Sequence, residues 1–191
     1  QGPAGASVKA LANEGSTWFL AGAGGLAVVE AEVIGGGGPL DMAANWRRFY
    51  VTDGLPAADL TAVAATPWLA WTGSSGSGPS WAYRDDLSSW TRVTASASTG
   101  LPSDDIVAMA YDALDDVLLV ATGSGLATID GGGAGTFVTE LASGERVTAV
   151  AVAAAGAAPI GGDPTLRTFA STPGGVYYRQ FGGGWILVTA D

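Results

Sequence analysis

Short apolar segments recur along the chain, and almost none of it shows the 3.6-residue spacing of an amphipathic helix. Each recurring unit begins with a branched or long apolar residue, a variable residue, Ala, an apolar residue and Ala. This five-residue pattern starts at Val8, Leu60, Ile106 and Val147, at intervals of 52, 46 and 41 residues. Four occurrences at nearly regular spacing indicate an internal repeat.

Three further apolar segments follow the first one in each unit, and turns rich in small residues separate them. The second segments lie at 18–22, 69–73, 118–123 and 166–171, the third at 25–29, 81–83, 125–129 and 175–178, and the fourth at 46–51, 90–94, 136–139 and 185–189. Glycine-rich connections at 35–38, 131–133 and 182–184 supply the positive φ angles that tight turns require. Each unit therefore predicts four short β-strands, and the chain predicts negligible helix.

Four antiparallel strands repeated every ~40 to 50 residues are typical of the blades of a β-propeller. One four-stranded sheet cannot bury both of its faces alone, whereas sheets stacked around an axis bury them against each other. The small Ala-rich first segment suits the crowded innermost strand. We predict an all-β fold, a β-propeller with four blades of four antiparallel strands, which is either complete or part of a larger ring. The predicted blades of this single domain are residues 6–53, 54–99, 100–141 and 142–191.

Two units carry residues of a known repeat family. Residues 54–63 read Gly-Leu-Pro-Ala-Ala-Asp-Leu-Thr-Ala-Val, and residues 100–109 read Gly-Leu-Pro-Ser-Asp-Asp-Ile-Val-Ala-Met. These segments, and residues 111–126 after the second one, resemble the two-component regulator propeller repeat, in which a Gly-Leu-Pro turn leads into the inner strand. The fourth unit departs from this pattern, because Leu-Ala-Ser-Gly stands at 141–144.

A looser similarity to Asp-box propellers occurs at 84–90 and 174–185, where the full Ser-x-Asp-x-Gly-x-Thr-Trp box is missing. Both resemblances imply the same propeller fold. Neither implies a particular chemistry, because such repeats are architectural. The first resemblance also implies an alternative function, that of a ligand-sensing propeller of a signalling receptor that binds a glycan or another small molecule.

Composition narrows the possible partners and chemistry. The chain is 48% hydrophobic and 14% charged, and it contains 30 Gly, which together indicate a folded, turn-rich protein. Its net charge of −10 repels phosphate backbones and anionic lipids, so we expect no nucleic-acid partner and no membrane-surface partner. The longest apolar stretch, 149–158, is too short to span a bilayer, so we also expect no membrane insertion. The absence of Cys and His excludes disulfides, thiolate nucleophiles and His-based acid–base catalysis.

Adjacent acidic residues are the main candidates for metal binding. They stand at 85–86, 104–105 and 115–116, and Asp112 joins the last pair in the richest acidic cluster. Calcium prefers six to eight oxygen ligands, but this cluster lacks the alternating spacing of dedicated calcium loops. We interpret it as a solvated hairpin turn. The sequence therefore predicts no metal, no cofactor, no catalytic residue and no enzymatic activity.

The seven Trp residues are predicted to lie mostly in the core between blades. Trp68, Trp71 and Trp81 flank the loop 73–80, which is rich in Gly and Ser. Aromatic rings beside an exposed loop can contact a protein partner or stack on a glycan. These three residues are therefore the candidate ligand or partner contacts.

The function predicted from these observations is that of a non-catalytic structural or interaction module, extracellular or at the cell surface, in a larger protein or a multi-subunit assembly. The ligand-sensing propeller is the alternative. An open arc of four blades would expose two apolar faces, so we expect further blades or further copies of this chain to cover them. The competing prediction is a closed four-blade ring in which Trp18 and Trp185 lie near each other.

Overall fold

The computed structural model describes residues 7–30, 45–97, 100–133, 136–141, 144–153, 166–180 and 183–188. The predicted connection at 35–38, residue 182 and residue 189 lie outside these ranges. Within them the chain forms sixteen β-strands and a 3₁₀ turn at Val51–Asp53. The strands are β1 Ser7–Glu14, β2 Thr17–Ala23, β3 Gly25–Glu30, β4 Arg47–Phe49, β5 Ala62–Ala65, β6 Leu69–Ser74, β7 Gly78–Tyr83, β8 Asp86–Arg92, β9 Ile106–Asp112, β10 Val117–Thr122, β11 Gly125–Asp130, β12 Val138–Leu141, β13 Ala149–Val152, β14 Leu166–Thr172, β15 Gly175–Gln180 and β16 Trp185–Val188. No helix of the described part is long and apolar enough to cross a bilayer.

Each group of four consecutive strands forms one antiparallel sheet, and the strands lie in chain order within it. The sheets are β1–β4, β5–β8, β9–β12 and β13–β16, which we call blades 1 to 4. This arrangement confirms the predicted all-β propeller architecture of four blades with four antiparallel strands each. It follows from the sequence pattern because short apolar segments joined by tight glycine turns pair most readily with their nearest neighbours.

Glycine is required where the third strand of a blade begins. Gly25 opens β3 with a φ of +108°, and Gly125 opens β11 with a φ of +145°. A Cβ added at Gly25 would collide with the carbonyl oxygen of Phe49, and one added at Gly125 would collide with that of Leu141. The missing side chain therefore lets the fourth strand lie close beside the third in both blades.

Apolar side chains of consecutive blades pack against each other and form three core clusters. Their members include Phe19, Leu26, Leu60 and Leu87 between blades 1 and 2, Trp71, Ile106, Leu118 and Phe137 between blades 2 and 3, and Leu119, Leu126 and Val147 between blades 3 and 4. Burying one such side chain stabilises the fold by about 1.5 to 3 kcal/mol. Most of the core therefore lies between the blades, where sheets stack face to face.

Backbone hydrogen bonds join consecutive blades at one repeated place. The N–H of Leu60, in the segment leading into blade 2, donates to the carbonyl oxygen of Gly22 at 3.1 Å. The N–H of Val147, in the segment leading into blade 4, donates to the carbonyl oxygen of Thr122 at 3.0 Å. Gly22 is the second-to-last residue of β2, and Thr122 is the last residue of β10, so both lie at the end of the second strand of a blade. The start of each of these blades is thereby fixed to the preceding blade.

The innermost strands pack in chain order, β1 against β5, β5 against β9, and β9 against β13. Among the described residues, no packing of this extent joins β13 to β1. In the part of the chain that the structure describes, extensive packing between innermost strands therefore runs from blade 1 to blade 4 as an arc, and no packing of that extent joins its two ends. Among the described residues, blade 1 and blade 4 each have one face on which no other blade packs to this extent.

Candidate functional site

The innermost strands of all four blades line a concave groove of about 550 Å³. Most of the lining is small or aliphatic, and its polar side chains include Asn13, Glu14 and Tyr111. The Tyr111 hydroxyl donates to Asp116 Oδ1 at 2.6 Å. Burial, followed by this hydrogen bond and the charge of Asp116, raises the pKa of Tyr111 above its ordinary value. The phenol therefore stays protonated at neutral pH and acts as a hydrogen-bond donor.

The carboxylates of the predicted acidic cluster have separate partners. Asp112 is buried, and its Oδ1 accepts a hydrogen bond from the backbone N–H of Leu114 at 3.0 Å. Asp115 Oδ2 pairs with Arg179 of blade 4 at 2.8 Å, while Asp116 accepts the phenol bond described above. In the ranges that the structure describes, no three acidic side chains converge to hold a metal ion. The cluster forms the β9–β10 turn and links blade 3 to blade 4.

Further polar contacts cross the same boundary between blades 3 and 4. Thr168 Oγ1 donates to Asp112 Oδ2 at 3.1 Å, and both residues are buried. Glu140 accepts a hydrogen bond from Trp185 Nε1 at 3.3 Å and lies 3.7 Å from Arg179. Each of these contacts joins a side chain of blade 3 to a side chain of blade 4, so together they define how the two blades dock.

Asp105 connects three blades. It lies just before β9, and its Oδ1 accepts a hydrogen bond from Ser75 Oγ of blade 2 at 2.7 Å. Its Oδ2 pairs with Arg146, which lies in the segment leading into blade 4. The Ser75 hydrogen bond, with a smaller contribution from Arg146, lowers the pKa of Asp105 below its ordinary value despite partial burial. Asp104 Oδ1 accepts the backbone N–H of Ala95 at 2.7 Å, so this acidic pair is also engaged within the protein.

The three candidate Trp residues occupy different environments. Trp71 is fully buried, and its ring lies 6.4 Å from that of Trp81 and 6.2 Å from that of Phe137 in blade 3. Trp81 is half-buried and contacts the exposed ring of Tyr83 edge-on. Trp68 is 69% exposed. Trp71 is therefore too buried to touch a ligand or partner directly. Trp68 and Trp81 remain as candidate contacts.

Sequence reasoning missed a cleft of about 560 Å³ at the outer edge between blades 1 and 2. Arg48 of β4, Asp53 of the 3₁₀ turn, and Ser88 and Trp90 of β8 line it. Trp90 Nε1 donates to the carbonyl oxygen of Leu87 at 3.0 Å, which holds the indole at the cleft wall. These residues are distant in sequence, so no local pattern indicated that they form a cleft. Only Trp90 stood out in the sequence, as the first residue of a predicted strand segment.

One position of the repeat is buried in three blades and exposed in the first. Leu60, Ile106 and Val147 begin the repeated pattern of blades 2, 3 and 4, and each is 0% exposed. Val8 holds the same position in blade 1, and 47% of its surface is exposed. The difference arises because blades 2 to 4 each pack on a preceding blade, whereas the described residues include no blade packed before blade 1.

In blade 4 the exposed repeat position lies on the other face of the sheet. Leu26 and Leu126 are the second residues of the third strands in blades 1 and 3, and both are 0% exposed because the next blade covers them. Val176 holds this position in blade 4 and is 44% exposed. It pairs directly with Val188, so both side chains lie on the uncovered face of the blade. We call this the leading face of blade 4, and we call the face of blade 1 that carries Val8 and Leu11 the trailing face of blade 1.

No protein-family model matches the chain, and no curated protein matches it. The structure is similar to the extracellular domain of BT4673 from B. thetaiotaomicron, described as a hybrid two-component system, with a TM-score of 0.67 and 14% identity over 97% of this chain and 22% of that one. It is also similar to PorZ, a bacterial surface component of the type-IX secretion system of Porphyromonas gingivalis, with a TM-score of 0.59 and 13% identity over 95% of this chain and 22% of that one. The β-propeller domain of Cps50 (Swd1) from Myceliophteria thermophila matches with a TM-score of 0.51 and 17% identity over 96% of this chain and 72% of that one. Enzymes are among the similar structures too, including an ancestral GH74 enzyme.

The chain spans about a fifth of the length of the first two of these structures, since it covers 22% of each. At identities of 13 to 17% the similarity concerns the fold. It supports, at the level of the propeller fold, the resemblance to regulator propellers seen in the sequence. Receptor sensing, secretion and catalysis are properties of those other proteins, because unrelated functions share one fold.

Proposed function

We propose that this chain is a non-catalytic β-propeller module that acts through protein–protein contacts in a larger extracellular protein or assembly. The observation that carries the proposal is the pair of partly exposed apolar faces at the two ends of the arc. Val8, Leu11, Val176 and Val188 are between 44% and 56% exposed on these faces. Soluble proteins rarely leave large contiguous apolar patches in water, so exposed sheet faces of this kind mark contact surfaces.

The chemistry of the acidic residues supports a non-catalytic role. Asp105, Asp112 and Asp115 each hold a hydrogen bond or ion pair that joins two blades. A catalytic carboxylate instead points a free oxygen at a substrate and has a pKa matched to proton transfer. The lowered pKa of Asp105 is opposite in direction to that of a general acid.

An extracellular location is supported by the proteins with similar structures. Two of them are an extracellular domain and a bacterial surface component, and both are much longer than this chain. The absence of Cys is compatible with an extracellular protein that folds without disulfides. We propose that the chain occupies the same kind of environment as part of a larger structure.

Hydroxyl-radical footprinting tests the proposed contacts. The modification of Val176 and Val188 is compared between the isolated chain and the native material from which the chain comes. We expect both side chains to be protected in the native material, while Leu114, which is 58% exposed in the β9–β10 turn, reacts equally in both samples. Equal reactivity of the end-face residues in the two samples would contradict the proposal.

A second candidate function is glycan or small-molecule sensing, which the exposure of Trp68 favours. A ring that is 69% exposed can stack on the apolar face of a sugar. Titration of soluble glycans, followed by Trp fluorescence, would test this function. Trp68→Ala should abolish the response if Trp68 is the contact, whereas Trp90→Phe, in the cleft between blades 1 and 2, should preserve it. An unchanged response in Trp68→Ala would contradict this assignment.

A further inference from the structure

We propose that two copies of this chain close into one eight-bladed ring, in which the leading face of blade 4 of each copy packs against the trailing face of blade 1 of the other. The inference deepens the proposed function and rests on it, since it names the partner of the same two faces. It is carried by the equivalence between these end faces and two interfaces already present inside the chain, between blades 1 and 2 and between blades 3 and 4.

The internal interfaces show which residues meet. Leu26 and Leu60 lie in one core cluster between blades 1 and 2, and Leu126 and Val147 lie in one cluster between blades 3 and 4. In each pair, the second residue of a third strand contacts the cluster that also holds the first residue of the next repeat. The equivalent residues at the ends of the chain are Val176 and Val8. Among the described residues, each of the two therefore lacks the apolar contact that its equivalents make inside the chain. The residue type that would complete this contact lies at the opposite end of the chain.

Further apolar side chains lie on both faces, beside polar ones such as Asn13 and Ser171, and Ala27 and Val29 of the trailing face are already buried within the chain. Strand register places Leu20 opposite Leu11, and places Tyr178 between Phe169 and Ile186. Opposite residues share a face of the sheet, as do residues two apart on one strand. The proposed contact therefore brings Val8, Leu11, Trp18 and Leu20 of one copy against Phe169, Val176, Tyr178 and Ile186 of the other.

The backbone link between blades has a matching acceptor. In blade 3, Thr122 Oγ1 accepts the N–H of Ser124 at 3.2 Å and donates to the carbonyl of Gly125, while the Thr122 carbonyl oxygen accepts the N–H of Val147. Thr172 of blade 4 makes the same two side-chain bonds, with Gly174 and Gly175. The Thr172 carbonyl is thus placed to accept the N–H of Val8 from the second copy, because Val8 and Val147 hold the same position in the repeat.

The number of blades in a closed ring favours two copies of the chain. β-Propellers typically contain four to eight blades, so two chains of four reach the upper end of that range and three chains would exceed it. Closure of one chain on itself would bury Val8 against Val176, yet both are nearly half exposed in the arc. A second copy supplies both missing faces at once, and a two-fold axis makes its two contacts identical.

The first test is the mass of the 191-residue chain in solution, measured by light scattering after size exclusion. We expect about 38 kDa, which is twice the mass of 19.0 kDa. Val8→Asp and Val176→Asp should each weaken association by roughly 100-fold or more, because each buries an unpaired charge at both contacts of the ring. Leu114→Asp is the matched control and should leave the mass unchanged, since Leu114 lies in an exposed turn. A monomer mass for the unmodified chain, or equal weakening by the control, would overturn the proposal.

Cysteine cross-linking keeps the test informative if an Asp variant fails to fold. The chain has no Cys, so introduced thiols are unique. Val8→Cys and Val176→Cys are near-isosteric, and their oxidised mixture should give a covalent dimer that neither variant gives alone. A disulfide within the single chain of the doubly substituted variant would instead show self-closure and overturn the proposal, as would a mixture that stays uncoupled.

Failure of the ring and failure of the proposed function give different results. If the chain is monomeric and uncoupled, but Val176 and Val188 are protected in the native material, the second copy is the wrong partner and the contact surface stands. If the side chains are unprotected there, the contact surface itself is wrong.

Discussion

Replacing Thr168 with Val removes one hydroxyl from the boundary between blades 3 and 4 while keeping the shape of the side chain. Thr168 is 3% exposed, and the carboxylate that accepts its hydrogen bond, on Asp112, is 1% exposed. Water therefore cannot replace the lost donor easily. A hydrogen bond to a charged group contributes about 1.5 to 3 kcal/mol, and the new methyl group recovers part of this through apolar contact. We expect Thr168→Val to lower the free energy of unfolding by ~2 kcal/mol.

The matched control is Thr148→Val. Thr148 makes a hydroxyl contact of 2.8 Å with Ser171, but it is exposed, so water replaces the partner and the loss should stay below ~0.5 kcal/mol. Urea unfolding followed by Trp fluorescence measures both variants, and Trp185 lies at the same blade boundary as a reporter. The dependence on urea should keep its slope, since the exposed area is unchanged. Equal losses in the two variants, or a loss below ~0.5 kcal/mol for Thr168→Val, would refute the reasoning.

Three further outcomes are expected. Trp71→Ala should cost about 3 to 5 kcal/mol by opening a cavity between blades 2 and 3, whereas the exposed Trp68→Ala should change the melting temperature little; similar melting shifts would contradict the burial of Trp71. The pKa of Asp105 lies below its ordinary value of 3.8 in the folded protein, so its stabilisation is present above that pH and is lost as the pH falls through the folded value. Asp105→Asn should therefore destabilise the protein at pH 7 and have a smaller effect well below pH 3.8, as measured by urea unfolding; an effect that does not change with pH would contradict this. A chelator should leave the melting temperature unchanged, because the carboxylates of the Asp112 turn already have protein partners, and a large decrease would require a metal site there.

The strands were predictable because their signals are local. Alternating apolar residues and glycine turns act within about ten residues, so the pattern beginning at Ile106 indicated β9 and its pairing with β10 directly. The repeat of the pattern then indicated blades, because each unit has the same unburied faces. No partner distant in sequence was needed for either step.

The environments of individual side chains were not predictable in this way. Trp68 and Trp71 flank the same loop, but Trp71 is buried because Phe137 of the next blade packs on it. Asp115 resembled a metal ligand in sequence, and its partner Arg179 is 64 residues away. Such pairs depend on how two blades dock, which no local pattern encodes.

The order of the strands also has a consequence for synthesis of the chain. In every described sheet each strand pairs with its neighbours in the chain, and each blade packs on the blade just before it. At translation rates of about 5 to 20 residues per second, one blade emerges from the ribosome in roughly 2 to 10 s. Hairpins form in about 1 to 10 μs. Each new blade can therefore fold onto the completed blade before it while the next one is still being synthesised. The chain can thus fold co-translationally, one sheet at a time.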